Sequence, residues 1–149
     1  MLYCLIYNLN SSSGRKSKFI NRVLSKLKEN NSVDYFETKT INQAKQIFKD
    51  FNQKNYDRLI VAGGDGSVSF AINELIKNDF NFKDDFAIGY IPAGTANLLQ
   101  AELSMNKKVD DIVNVLVSNN YKSSNLVKIN ENYFFLMAGI GWDAKIVHS

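Results

Sequence analysis

Hydrophobic and polar positions along the chain follow two different periods. Short, continuous apolar runs alternate with longer stretches in which apolar residues recur every three or four positions. The first pattern is typical of strands buried on both faces of a sheet, and the second of amphipathic helices. Together they predict strands at residues 2–7, 33–36, 59–62 and 86–91. They predict helices at residues 19–27, 41–51, 68–76 and 109–117, with a shorter one near residues 98–103.

The order of these elements predicts the fold class. Strands that alternate with helices indicate βαβ units, so we expect an α/β fold with an open parallel sheet flanked by helices. The pattern changes after Tyr121, where residues 125–129 and 133–138 form two strand-like runs around a turn at residues 130–132. We therefore expect an α/β domain over residues 1–121. Residues 122–149 are expected to be the start of a β-rich domain, cut short at Ser149.

Composition excludes several classes of protein. The chain has 149 residues, of which 45% are hydrophobic, enough for the core of one ordinary domain and too many for a disordered protein. No apolar stretch approaches the roughly 20 residues of a membrane-spanning helix, and no secretory signal is present, so we expect a cytoplasmic protein. Cys4 lies in a strand-like run and predicts a packed thiol, whereas the single histidine, His148, excludes a Ser-His-Asp triad or a Cys/His metal site.

Charge adds one feature. The net charge is +3, and part of it is concentrated in one predicted helix. Its basic residues are Arg15, Lys16, Lys18, Arg22, Lys26 and Lys28. This pattern favours a solvated helix face, with attraction to phosphate or an anionic membrane as the second interpretation. Nucleic acid is not an expected partner, because no recognition motif accompanies the charge.

Two loops of unusual composition follow the third and fourth strands, where ligands bind in open parallel sheets. The first contains three glycines, in the order Gly63, Gly64, Asp65, Gly66, Ser67. Glycines allow the backbone N–H groups to approach phosphate oxygens, and a helix that starts near Ser67 would add the positive end of its dipole. Asp65 would repel a bare phosphate. One explanation is that Asp65 binds Mg²⁺ or accepts the proton of an attacking hydroxyl. The other is that it stabilises a turn or caps a helix.

The second loop begins at the only proline and contains Pro92, Ala93, Gly94 and Thr95. It offers a rigid turn, a close approach and a hydroxyl donor for a second phosphate contact, or simply a capped helix start. A third candidate cradle, residues 10–14, consists of small donors after the first strand. Neither the P-loop pattern nor the dinucleotide fingerprint G-x-G-x-x-G is present, so a Walker-type ATPase and a Rossmann dehydrogenase fit poorly.

In this order and spacing the motifs resemble the diacylglycerol kinase catalytic family, which includes bacterial lipid kinases and sphingosine kinases. Residues 63–67, GGDGS, look like its GGDGT loop, with Asn73 and Leu75 behind it; residues 92–97, PAGTAN, are similar to its PxGTxN motif. Residues 10–14, NSSSG, look like its NPxSG loop, and residues 139–144, GIGWDA, are similar to its GxGxDA segment, which enters the lipid-side domain.

The resemblance implies transfer of the γ-phosphate of ATP, with Mg²⁺, to a lipid hydroxyl at a membrane surface. It implies peripheral membrane contact, a catalytic role for Asp65 and a substrate-side position for Asp143. The nucleotide-binding residues that it implies are Asn10, Ser13, Gly14, Thr38, Gly63, Gly64, Asp65, Gly66, Ser67, Ser69, Gly94, Thr95 and Asn97. No residue of the chain is predicted as a metal ligand. Residues 1–121 then correspond to the nucleotide-binding domain.

The chain departs from the family pattern in places. Phe70 stands where many members carry glutamate, and Leu98 where many carry aspartate. The catalytic base and the structural magnesium ligands are expected beyond Ser149. Two alternatives therefore stay open: a non-catalytic nucleotide-binding module or truncated inactive product, and a relative of NAD kinase or phosphofructokinase, against which the second motif argues. The sequence indicates neither the lipid nor the oligomeric state.

Overall fold

A computed structural model describes residues 1–9 and 14–135 of the chain. The strands are β1 (Leu2–Asn8), β2 (Ser32–Thr38), β3 (Arg58–Gly63), β4 (Ala87–Pro92), β5 (Val127–Ile129) and β6 (Asn132–Phe134). The helices are α1 (Gly14–Lys28), α2 (Ile41–Lys49), α3 (Asp65–Lys77), α4 (Leu98–Glu102) and α5 (Val109–Val117), with a 3₁₀ helix at Phe51–Lys54. Within the described ranges, no helix is long and apolar enough to cross a membrane.

Four strands form one parallel sheet in the order β2-β1-β3-β4. The predicted α/β fold with an open parallel sheet is confirmed. From β1 the chain moves to one side of the sheet to form β2, and then crosses to the other side to form β3 and β4. This reversal creates a topological switch point between the carboxyl ends of β1 and β3, where open α/β sheets bind their ligands.

The two faces of the sheet are covered by different helices. Tyr3, Leu5 and Tyr7 of β1 point to the face covered by α1 and α5, and Cys4 and Ile6 point to the face covered by α2 and α3. This alternation follows from the two-residue period of a strand. Because both faces are buried, β1 and β3 are almost continuously apolar in sequence, as the pattern predicted.

Helix α2 begins as expected and ends earlier. Thr40 and Gln43 form the predicted capping box, with the Gln43 N–H donating to Thr40 Oγ1 at 3.2 Å. The helix ends at Lys49, so the prediction that it continues to Phe51 was wrong. Phe51 belongs to the 3₁₀ helix, where its ring lies 4.9 Å from that of Tyr56. This aromatic packing preserves the apolar spacing although the backbone has left the α-helical path.

The second sheet is the antiparallel hairpin β5–β6, which turns at Asn130 in the left-handed conformation (φ 53°). The described part of the predicted hairpin is therefore present, with shorter strands than expected, and residues 136–138 of the prediction lie outside the described residues. Asn73 of α3 connects the hairpin to the rest of the fold. Its Nδ2 donates to the Tyr133 carbonyl at 2.7 Å, and the Tyr133 N–H donates to its Oδ1 at 2.8 Å.

Candidate functional site

A cavity of about 260 Å³ lies at the switch point. Its base is formed by the carboxyl ends of β1, β2 and β3, and its walls by α2 and the first turns of α3. Predicted site residues Thr38, Gly66 and Ser67 are among the lining residues. The other lining residues are Ile6, Asn8, Lys39, Thr40, Ile41, Ala44, Phe48, Val61, Ala62, Phe70 and Ala71.

The cavity is mainly apolar with a few polar groups at its rim. Phe48 and Phe70 meet edge to face, with ring centroids 6.1 Å apart, and form one wall. The Thr38 side chain is buried, and its hydroxyl donates to the Tyr7 carbonyl at 3.3 Å, which holds the end of β2 against β1. An apolar slot with a few fixed polar groups is typical of sites for flat, partly polar ligands such as nucleobases.

The glycine-rich loop leads directly into α3. Gly64 is the N-cap, in an extended conformation, and Asp65 is the first helical residue. The prediction that the helix starts near Ser67 was therefore two residues late, because no side chain caps this helix and the sequence carries no cap signal. Gly66 lies in the first turn, where backbone N–H groups have no acceptor within the helix. A Cβ added to Gly66 would meet no atom of the described residues within 4 Å, apart from its chain neighbours and the backbone of its own helix, so the space beside this turn is open there.

The two glycine loops are packed against each other. The N–H groups of Ala93 and Gly94 both donate to the Gly63 carbonyl, at 2.8 and 3.0 Å. A Cβ on Gly94 would overlap the Cα of Gly64, and a Cβ on Gly64 would lie 3.3 Å from the Cα of Gly94. This backbone contact requires glycine at Gly94 and leaves a side chain at Gly64 little room, so one function of Gly94 is to let the loops approach each other.

Asp65 connects the first loop to α4. Its Oδ2 accepts the Leu98 N–H at 2.8 Å, and its Oδ1 accepts the Leu99 N–H at 3.0 Å. A carboxylate at this position satisfies two free donors of the helix start and interacts favourably with the helix dipole. Sequence alone left a capping role open for Asp65, but the helix that it caps is α4 rather than the one it begins. A carboxylate offers about four acceptor positions, so Asp65 retains capacity for further ligands.

Asn97 shapes the second loop from within. It has the left-handed conformation (φ 49°), its Nδ2 donates to the Gly94 carbonyl at 3.0 Å, and its Oδ1 accepts the Tyr90 hydroxyl at 2.9 Å. Burial, together with the nearby charge of Asp65, raises the pKa of Tyr90, which keeps the phenol protonated as a donor. Thr95 lies exposed at the tip of this loop.

Lys16 of α1 reaches the same place, a contact that the sequence did not predict. Its Nζ donates to the carbonyls of Ala93 and Gly94 at 2.8 and 2.9 Å. The other basic residues of α1 with described side chains are exposed, as a solvated face predicts: Lys18, Arg22, Lys26 and Lys28. In sequence Lys16 looks like these other basic residues of the helix. Only the tertiary structure distinguishes it from them.

The remaining predicted residues are more dispersed. Gly14 is the first residue of α1. Ser69 does not line the cavity but faces a recess between α3 and the hairpin, where its carbonyl accepts the Asn73 Nδ2 at 2.8 Å. The positions predicted at Asn10, Ser13 and Asp143 lie outside the described residues. The nucleotide-contact roles assigned from the resemblance stay predictions.

Comparison with known proteins identifies relatives of this arrangement. The diacylglycerol kinase catalytic domain family matches residues 3–129. A diacylglycerol kinase of Staphylococcus carnosus is 28% identical over 138 residues, and one of Staphylococcus aureus is 27% identical over 138 residues. Each alignment covers 92% of this chain; the chain spans less than half of those relatives, 44% and 42% of their lengths.

Solved structures support the same fold. A diacylglycerol kinase crystal structure from Bacillus anthracis superposes with a TM-score of 0.72 at 22% sequence identity, and the match covers 89% of this chain and 45% of that one. Because the family match extends over most of the residues, from β1 to β5, the protein belongs to the diacylglycerol kinase catalytic domain family.

Proposed function

We propose that this chain is the nucleotide-binding part of an ATP-dependent lipid kinase, which transfers the γ-phosphate of ATP to a lipid hydroxyl. The observation that carries the proposal is the backbone contact between the two glycine loops, directly beside the cavity at the switch point. Family membership supports the reaction class. The diacylglycerol kinases of the two staphylococci are named for such a reaction.

In this proposal the cavity and the loops bind different parts of ATP. The apolar wall of Phe48 and Phe70 suits the nucleobase, and the rim at Thr38 provides polar contacts. The first turn of α3 at Gly66 suits the phosphates, because its N–H groups and helix dipole attract anions, and a Cβ at Gly66 would meet nothing among the described residues. A nucleotide would then extend from the cavity across the glycine-rich loop towards α4.

The reaction forms a bond between the lipid hydroxyl oxygen and the γ-phosphorus and breaks the bond from that phosphorus to the bridging oxygen of ADP. Most of the catalysis in such transfers comes from positioning and charge neutralisation. The chain would contribute the positioning of the phosphates through the two loops. The base that accepts the hydroxyl proton is predicted to lie outside the described residues.

The residues present fit magnesium that arrives with the nucleotide. Among the described residues there is no cluster of three or more His, Cys, Asp or Glu side chains that could form a metal cage. Mg²⁺ is commonly held by one or two carboxylates together with substrate phosphates and waters. We assign this role to Asp65, because each of its carboxylate oxygens accepts one N–H of α4 and can still accept a further ligand. The ion would neutralise charge on the phosphates during transfer.

A second candidate function is nucleotide binding without transfer. It is favoured by the contacts of Asp65, because both carboxylate oxygens already accept backbone N–H groups of α4. In that case Asp65 would be a structural cap, and the loops would hold a nucleotide without reacting it.

Transfer of labelled phosphate distinguishes the two candidates. A protein that joins this chain to a complete lipid-side domain of a diacylglycerol kinase, so that the predicted base is present, is incubated with Mg²⁺, γ-labelled ATP and vesicles that contain diacylglycerol, and label in the lipid fraction is counted. The kinase proposal predicts incorporation that falls by about a hundredfold or more in Asp65→Asn and is retained in Asp84→Asn, a control that removes an exposed carboxylate elsewhere. Absence of label from a protein that still binds Mg·ATP would favour the binding function instead.

A further inference from the structure

Lys16 has an arrangement that an ordinary surface lysine lacks. It is the third residue of α1, and its side chain is partly buried. Its ammonium donates to two successive backbone carbonyls, those of Ala93 at 2.8 Å and Gly94 at 2.9 Å. The side chain therefore spans from the first helix of the fold to the loop that follows the fourth strand.

These two carbonyls belong to the part of the second loop that contacts the first. The N–H groups of Ala93 and Gly94 donate to the Gly63 carbonyl, and Gly94 packs on Gly64. The Ala93–Gly94 segment is thus held by its N–H groups on one side and by its carbonyls on the other. Lys16 places a positive charge at the junction of the two glycine loops.

The charge and the hydrogen-bonding capacity of this ammonium suit an anion. A lysine ammonium has three N–H donors, and the two carbonyls use two of them. One donor remains. Lysine is a frequent phosphate binder, and a cation at this junction would offset the negative charge that Asp65 brings to the same loops.

We propose that Lys16 is a phosphate-contacting residue, which donates its third N–H to a nucleotide phosphate while the other two position the Ala93–Gly94 segment. The inference rests on the proposed nucleotide function and adds a charged group to the site. It requires that removal of the charge weaken the binding of the phosphates and leave the binding of the base unaffected.

The test compares adenosine with AMP, ADP and ATP as ligands of the wild-type protein, Lys16→Met, Lys16→Arg and Lys18→Met. Lys16→Met keeps the length of the side chain and removes the charge, and Lys18→Met removes an exposed charge two residues along the same helix. Affinities are measured by calorimetric titration, and circular dichroism melting establishes that each variant unfolds cooperatively. Lys16→Arg retains a cation and keeps the test decisive should the methionine variant fail to fold.

We expect Lys16→Met to weaken ATP binding about tenfold, the loss of one charge-assisted hydrogen bond. Adenosine binding should be unchanged, and the loss should increase with the number of phosphates. Lys16→Arg should retain much of the affinity, Lys18→Met should match the wild type, and added salt should reduce the difference between wild type and Lys16→Met.

Two results would overturn the inference while leaving the nucleotide site in place. One is equal loss of adenosine and ATP affinity, which would make Lys16 a purely structural link. The other is an ATP affinity that is unchanged in Lys16→Met. If Lys16→Met does not fold, the corresponding result is a Lys16→Arg variant whose affinities for adenosine and ATP fall by the same factor. A wild-type protein that binds none of the four ligands would instead overturn the proposed function, and the Lys16 assignment with it.

Discussion

Two glycines of the site, Gly94 and Gly66, have different surroundings. Gly94 is needed because its Cα approaches the Cα of Gly64, so any side chain would push the loops apart. Gly66 has open space where a side chain would lie. Nothing within the described part of the chain therefore requires glycine at Gly66, and in the proposed function the requirement comes from the phosphates.

Alanine at these two positions should give opposite results. Gly94→Ala should lower the free energy of unfolding by about 1–3 kcal/mol, as overpacking does. Gly66→Ala should leave it unchanged or raise it by up to about 1 kcal/mol, because alanine is the better helix former. Urea denaturation measures both values. A Gly66→Ala variant that loses as much stability as Gly94→Ala would contradict the geometry described for the first turn of α3.

Cys4 illustrates a residue whose chemistry is suppressed by its place in the fold. Its side chain is fully buried in the central strand, and this burial raises the pKa of the thiol far above its ordinary value. Since the thiolate is the reactive form, we expect a thiol reagent at pH 8 to modify Cys4 only as fast as the protein opens or unfolds. Rapid native-state labelling, at the rate measured in urea, would show that β1 is not buried as described.

At the scale of elements, α3 serves both the nucleotide loop and the hairpin. Its first turn carries Asp65 and Gly66, and two turns later Asn73 pairs with the backbone of Tyr133 through both atoms of its amide. This pairing imitates the hydrogen bonds of a neighbouring strand. The hairpin is therefore held in a fixed position relative to the glycine-rich loop.

Removal of the Asn73 amide should release the hairpin. Asn73→Ala deletes both bonds to Tyr133 and should cost about 1–3 kcal/mol, because two backbone groups lose their partners. Hydrogen exchange of the Tyr133 amide should accelerate in this variant. It should stay slow in Asn78→Ala, because the Asn78 side-chain amide donates to the Glu74 carbonyl of its own helix and does not contact Tyr133. Protection of Tyr133 that survives in Asn73→Ala would mean that other contacts hold the hairpin.

Elements with local signals were predictable from the sequence, and those fixed by distant contacts were not. The capping box at Thr40 and the apolar face of residues 109–117 predicted the start of α2 and both ends of α5. The start of α3 was predicted two residues late, since Gly64 caps it without a side chain. The pairing of Asp65 with α4 and the reach of Lys16 to Ala93 join residues far apart in sequence, so no periodicity could reveal them.

At the scale of the whole molecule, the strand order explains why loops distant in sequence converge. Because these strands are parallel, the segments that follow β1, β3 and β4 all begin at the carboxyl ends of the strands, on the same side of the molecule. The alternating pattern predicted the parallel sheet, which places these loops together at the carboxyl ends of the strands. The family motifs predicted which of the loops would bind the nucleotide. The sequence did not predict that the two glycine loops would touch, because that contact depends on the register of β3 and β4, in which Gly63 is opposite Pro92.

The binding of Mg·ATP to the junction of the two loops is the central claim, and a thermal unfolding titration tests it most directly. Ligand that binds only the folded state stabilises it, by about 2.7 kcal/mol at a concentration of one hundred times the dissociation constant. We predict that the unfolding midpoint of the wild-type protein rises with Mg·ATP concentration, and that Gly66→Ala, with an unliganded midpoint no lower than that of the wild type, shows little or no rise. An absent rise in the wild type, or an equal rise in Gly66→Ala, would contradict the claim.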